Sequence, residues 1–113
     1  MKFDVQTQRA DLASAEVHDA GDGSTTVRLR GELDHEGVER VGAGLMKAAA
    51  ACTGRLGVDT SAVSFVDSAG LRLLLRAHQT MADRGLRFGI DHPSSQMERL
   101  LALTGLDELI GER

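Results

Sequence analysis

Asp67 and Ser68 are the residues best placed to do chemistry. The apolar stretch Val63-Ser64-Phe65-Val66 runs through them into the strongest helical pattern in the chain, Ser68 to Arg84. Ser68 therefore stands at or beside a helix N-terminus. There the first four backbone N–H groups have no intrahelical acceptor, and the macrodipole favours negative charge. The same geometry accepts phosphate. A phosphate on Ser68 would be tolerated by the backbone and repelled by Asp67. It would bring about 1.5 to 2 negative charges to the surface around the helix start. The plain alternative is that Asp67 or Ser68 is an N-cap, worth about 1 kcal/mol. Spacing does not separate a cap from a modification site, and one residue can be both.

Other chemistries fit less well. A serine hydrolase would pair Ser68 with His92 or His35, but Val66-Asp67-Ser68-Ala69-Gly70 lacks the first Gly of a nucleophile elbow. His18, His35, His78 and His92 are scattered without metal-ligand spacing on one element. Cys52 is the single cysteine, so no internal disulfide or cysteine-based zinc site is available. It follows four alanines and reads as a small buried hydrophobe, with no cationic neighbour to lower its pKa.

Composition narrows the field further. The 113 residues include no Trp and no Tyr, and their formal net charge is −4. Single-strand nucleic-acid binders stack bases on aromatic rings, and phosphate-backbone binders carry positive charge. Arg72, Arg76, Arg84 and Arg87 do not overturn that balance, so no direct nucleic-acid partner is expected. No stretch approaches the roughly 18 apolar residues of a membrane span, and the N-terminus lacks an apolar signal core. A cytoplasmic protein without a membrane partner is expected, and no cofactor or metal.

The elements that must position Ser68 can be read from periodicity. Residues 1–12 form a polar lead-in with room for an edge strand, and residues 13–113 form one domain. Alternation over 13–18, a Gly/Asp-rich turn, and Val27, Leu29 and Leu33 on one face predict an antiparallel hairpin. Asp34 caps a helix whose stripe is Val38, Val41, Leu45, Ala48, Ala49 and Cys52. A short strand over 55–59 leads to the Asp67-Ser68 segment. In the helix from Ser68, Leu71, Leu74, Leu75, His78, Met81 and Ala82 make the core stripe. At about 100° per residue its centre lies near His78, which turns Leu73 toward solvent. His78 reads as a core-margin histidine with a satisfied hydrogen bond. Leu86–Ile90 is a further strand. Ser95-Gln96-Met97-Glu98 fits a capping box before a short helix, and residues 106–111 supply a last strand. The order β-β-α-β-α-β-α-β gives an α/β fold. Its sheet is mixed, mostly parallel with an N-terminal antiparallel hairpin, and about three helices flank it.

Three segments, in order and in register, carry a resemblance. Gly31-Glu32-Leu33-Asp34-His35 resembles the G-E-L-D-H stretch of the anti-sigma factor antagonists. Asp59 to Leu71 resembles the same family's D-x-S-x-V-x-F-x-D-S-x-G-L signature, and Met97 to Leu106 its third segment, ending Gly105-Leu106. The resemblance covers about residues 13–110 and implies a STAS fold without enzymatic activity. It implies binding to an anti-sigma factor that is also a serine kinase, with release of a sigma factor. It implies phosphorylation of the Ser after Asp, here Ser68, as the off switch, and a serine phosphatase that resets it. Asp34, His35, Asp67, Ser68, Ala69 and Gly70 would then form the partner-binding face, with Leu73 one turn on as a contact. Phosphorylation would act there by local repulsion and desolvation, without large refolding. STAS domains also serve as subunits of stress-sensing complexes and as partners of transport ATPases, where Ser68 would be an unmodified contact.

Two departures stand out. Ala69 replaces a second hydroxyl found in several relatives. The chain stops at Arg113, just after the last expected strand, so the C-terminal helix of many relatives is expected to be missing, which leaves the packing of one sheet face and the oligomeric state open.

Overall fold

The β2 strand, Thr25–Leu33, shows how the sequence builds the sheet. Its residues alternate strictly between buried and exposed, the period-2 signature of a strand with one face on a core. In this computed structural model, which describes residues 11–113, β2 is central. It pairs antiparallel with β1 (Ser14–Asp19) on one side and parallel with β3 (Leu56–Val66) on the other. β4 (Phe88–Asp91) adds in parallel to β3, so the order is β1-β2-β3-β4. The lead-in expected over 1–12 falls outside the described residues as far as residue 10.

Parallel neighbours need crossovers, and helices supply them. Helix α1 (His35–Ala51) joins β2 to β3, and α2 (Ser68–Asp83) joins β3 to β4. Helix α3 (Ser95–Leu103) follows β4. The mixed sheet with three helices is the expected architecture. The core is aliphatic. Leu29 and Leu33 of β2, Leu45 of α1, Leu74 of α2, Ile90 of β4 and Leu101 of α3 are all fully buried. Each is worth about 1.5–3 kcal/mol, so any one of them outweighs a helix cap of about 1 kcal/mol. Cys52 is buried, its Sγ 3.2 Å from the Gly54 carbonyl oxygen, which suits the structural role expected of it.

Four local details differ from the sequence reading. The strand expected over 55–59 continues to Val66. Residues 106–111 form a short 3-10 turn, Asp107–Leu109, and only a single parallel bridge, Ile110 to Ile90, joins the sheet. The α3 cap is Ser94, whose Oγ accepts from Met97 N at 3.2 Å, in place of a Ser95–Glu98 box. Pro93 precedes this cap and restricts His92 before it, which fixes where the chain can turn into the helix.

The fourth difference is the α2 stripe. Its buried residues are Gly70, Leu73, Leu74, Ala77 and Met81, while Ala82 is exposed and His78 only partly buried. The stripe is turned by most of a residue from the one projected. The leucines pulled the projection toward Leu71 and Leu75. The packing instead follows the small residues: Gly70 and Ala77 let α2 approach the sheet and α1, and that brings Leu73 inward at 1% exposure. Leu73 does not face solvent. His78 lacks the hydrogen bond expected of it: its buried Nδ1 has no partner among the described residues, and its ring packs edge-on against Phe88 at 5.5 Å.

Candidate functional site

Ser68 owes its position to the strand register. Leu33 and Val66 are paired partners in the parallel β2–β3 ladder. The next residue on each strand is an aspartate, and each aspartate starts a helix. Asp34 caps α1, its Oδ1 accepting from Gly37 N at 2.8 Å. Asp67 caps α2, its Oδ1 accepting from Ala69 N at 2.9 Å and Gly70 N at 3.3 Å. Two capped helix N-termini thus lie side by side at the carboxyl ends of adjacent parallel strands. In open α/β sheets ligands are commonly met at the carboxyl ends of the strands.

The helix starts sit tightly on the strand ends. A Cβ on Gly70 would stand 2.4 Å from the Leu33 carbonyl oxygen, and one on Gly37 would stand 2.0 Å from that of Glu32. Only glycine allows both approaches. Asp67 N donates to the same Leu33 oxygen at 3.4 Å. The segment is therefore braced from both sides of Ser68.

Ser68 itself is the first residue of α2 and is exposed. Asp67, and not Ser68, provides the cap, which leaves the serine hydroxyl free of that task. Among the described residues its Oγ makes no hydrogen bond, and no histidine bonds to it. His35 is 86% exposed at the start of α1, its Nε2 3.5 Å from Glu39 Oε2. His92 Nε2 lies 3.8 Å from Glu112. The site can therefore present a hydroxyl, with helix-dipole N–H groups beneath it, and has no hydrogen-bonded base to activate it. No group of three His, Cys, Asp or Glu suited to a metal ion occurs among the described residues.

Of the residues singled out in the sequence, Ser68 and His35 are exposed, and Asp34, Asp67 and Ala69 are partly buried. All five gather at the β2/β3 rim. Gly70 and Leu73 are buried beneath it. Gly70 acts by close packing, and Leu73 belongs to the core.

The sequence did not point to Phe65, Arg99 and Leu103. Phe65 is 47% and Leu103 78% exposed, and both line a groove with Arg99 next to the rim. Phe65 is separated from Leu103 by 38 positions, so no local pattern signals the pairing. No helix among the described residues is long and apolar enough to cross a membrane.

Comparison with known proteins agrees with this geometry. The family described as "Mlab, STAS domain" matches residues 17–111. Among curated protein sequences nothing matches. An anti-sigma factor antagonist from Mycobacterium paratuberculosis has a similar structure, with 27% identity, 90% of this chain and 86% of that one covered, and a TM-score of 0.79. The anti-sigma factor antagonist SpoIIAA in its unphosphorylated form shares 23% identity over 88% of each chain, with a TM-score of 0.75. The Bacillus cell fate determinant SpoIIAA in its phosphorylated form shares 24% identity over 88% of this chain and 91% of that one, with a TM-score of 0.70. The chain thus has the fold of the anti-sigma factor antagonists, and with the family match spanning residues 17–111 of its 113 it belongs to the STAS domain family.

Proposed function

We propose that this chain is an anti-sigma factor antagonist. It binds an anti-sigma factor that is also a serine kinase, frees a sigma factor, and is switched off when that kinase phosphorylates Ser68. The observation that carries the reading is an exposed Ser68 hydroxyl, held on a rigid helix start by the Asp67 cap and flanked by the Asp34 cap. A kinase needs a hydroxyl it can reach on a backbone that tolerates the product. The N-terminus of α2 supplies a favourable dipole for the added charge, while Asp67 Oδ1 takes the Ala69 and Gly70 N–H groups. SpoIIAA, whose fold this chain shares, is known in unphosphorylated and phosphorylated forms.

In this reading the rim residues Asp34, His35, Ser68 and Ala69 meet the partner, while Asp67 and Gly70 hold the rim in place. Residues 13–113 work as one unit in the bacterial cytoplasm, by binding and not by catalysis. A serine phosphatase acting on phospho-Ser68 resets the switch. The test is incubation with the cognate kinase and ATP, followed by phosphosite mapping. One phosphate on Ser68, absent in Ser68→Ala, is expected. Stable binding with no phosphate would refute the switch.

A second reading is favoured by the name of the matching family, which mentions Mlab and no sigma factor. The chain would then be a subunit of a transport-ATPase or stress-sensing assembly, and the same rim would be an unmodified contact. Phosphosite mapping separates the two.

A further inference from the structure

The structure assigns a seat for the partner beside Ser68: the groove between the end of β3 and α3 takes an apolar side chain of the kinase, next to a carboxylate that pairs with Arg99. This inference rests on the proposed antagonist function.

The groove has a volume of about 310 Å³, and Phe65, Val66, Leu100 and Leu103 supply its apolar lining. Single exposed apolar residues are ordinary. Here two of the four large apolar side chains exposed among the described residues, Phe65 and Leu103, face one groove. Gathered beside Arg99, they give one partner side chain an apolar seat.

Charge selects the occupant. The chain is acidic overall, yet the groove holds Arg99 and no carboxylate. The neighbouring Glu98 is taken up by Arg113, and Arg99 has no ion-pair partner among the described residues. An apolar residue flanked by Asp or Glu satisfies both features, and the guanidinium suits bidentate pairing with a carboxylate.

Position identifies whose residue it is. Val66 lines the groove, and Ser68 lies two residues further on, at most about 7 Å away along the chain. A kinase that reaches the Ser68 hydroxyl therefore has this groove close at hand. The arrangement also gives the switch a mechanism. A phosphate on Ser68 adds about 1.5 to 2 negative charges on the flank where the partner carboxylate meets Arg99. The two anions repel, and the partner is released without any change in the fold.

The experiment is calorimetric titration of the full chain with each purified serine-kinase anti-sigma factor encoded in the same genome. Wild type, Arg99→Glu and Leu103→Ser are compared. Both substituted side chains are exposed, and thermal melts check that the variants remain folded. One kinase binds the wild type, and each variant weakens that binding about tenfold or more. The Arg99→Glu loss shrinks as salt is raised. If that kinase phosphorylates Ser68 yet both variants bind within about twofold of wild type, the groove assignment is overturned while the antagonist function stands. If no kinase binds the wild type, both fall together. A homodimer that Leu103→Ser dissolves would give the groove to a second copy and overturn the assignment.

Discussion

Leu33 and Val66 are paired across the parallel β2–β3 ladder, and this one register sets the whole rim. Each is followed by an aspartate that caps a helix. The Leu33 carbonyl oxygen also receives Asp67 N and lies against Gly70. Slippage by one residue would turn every side chain of a strand to the opposite face and would separate the two caps. The alternating burial of β2 prevents this, so the core of the sheet also positions the Ser68 hydroxyl.

Gly70→Ala tests that close approach. The added Cβ would stand 2.4 Å from a backbone oxygen, which cannot swing aside as a flexible side chain does. A loss of about 1–3 kcal/mol is expected from this overpacking, measured as a lower denaturant midpoint with an unchanged slope. A variant as stable as wild type would mean that the α2 start does not rest on Leu33.

Leu73→Ala separates core from surface. Leu73 is 1% exposed, so truncation leaves a cavity and costs about 2–5 kcal/mol. A solvent-facing contact residue would instead leave stability nearly unchanged and weaken only partner binding. Chemical denaturation decides between the two.

Arg55 and Asp91 hold the far end of the sheet. Arg55 Nη2 donates to Asp91 Oδ1 at 2.7 Å and Nη1 to Oδ2 at 3.0 Å, while Glu112 N also donates to Oδ1 at 3.0 Å. The carboxylate is 8% exposed and the guanidinium 27%. Asp91→Ala leaves the cation and an amide without their acceptor. Because Arg55 keeps some access to water, the cost falls at the low end for a broken buried pair, about 3 kcal/mol. The C-terminal segment from Gly111 should lose hydrogen-exchange protection first.

Acid should weaken the fold in part through Asp59. Burial of this side chain disfavours its charged form. The Ser61 backbone N–H at 2.9 Å and the Ser61 hydroxyl at 2.7 Å, with Arg28 nearby, outweigh burial and hold its pKa below the usual 3.8. The folded state thus binds fewer protons than the unfolded one in this range. The contribution is complete above about pH 4 and disappears as pH falls through the folded pKa. Ser61→Ala removes one donor, so Asp59 should titrate higher and the acid limb of the stability curve should flatten. A carboxyl NMR titration reads the shift directly.

Much of this was legible in the sequence because it rests on local rules. Asp34 and Asp67 are residues that cap helices, and strict alternation over 25–33 marked β2. What escaped depended on distant parts of the chain. The face of α2 was misplaced because large leucines outweigh Gly70 and Ala77 in a projection, although small residues decide how closely helices pack. The last strand shrank to one bridge at Ile110 because the 3-10 turn at Asp107–Leu109 uses up the residues before it. Arg55 and Asp91 are 36 residues apart on different elements, and Phe65 and Leu103 meet only when α3 packs against β3. No local pattern encodes either pairing.

The central claim is that charge on Ser68 controls the partner, and one measurement addresses it most directly. The chain is fully phosphorylated by its kinase, repurified, and titrated against that kinase by calorimetry beside unmodified protein and Ser68→Ala. The unmodified chain and Ser68→Ala should bind tightly, and phosphorylation should weaken binding about a hundredfold or more, in keeping with loss of a central interface contact. Equal affinity before and after phosphorylation would contradict that claim.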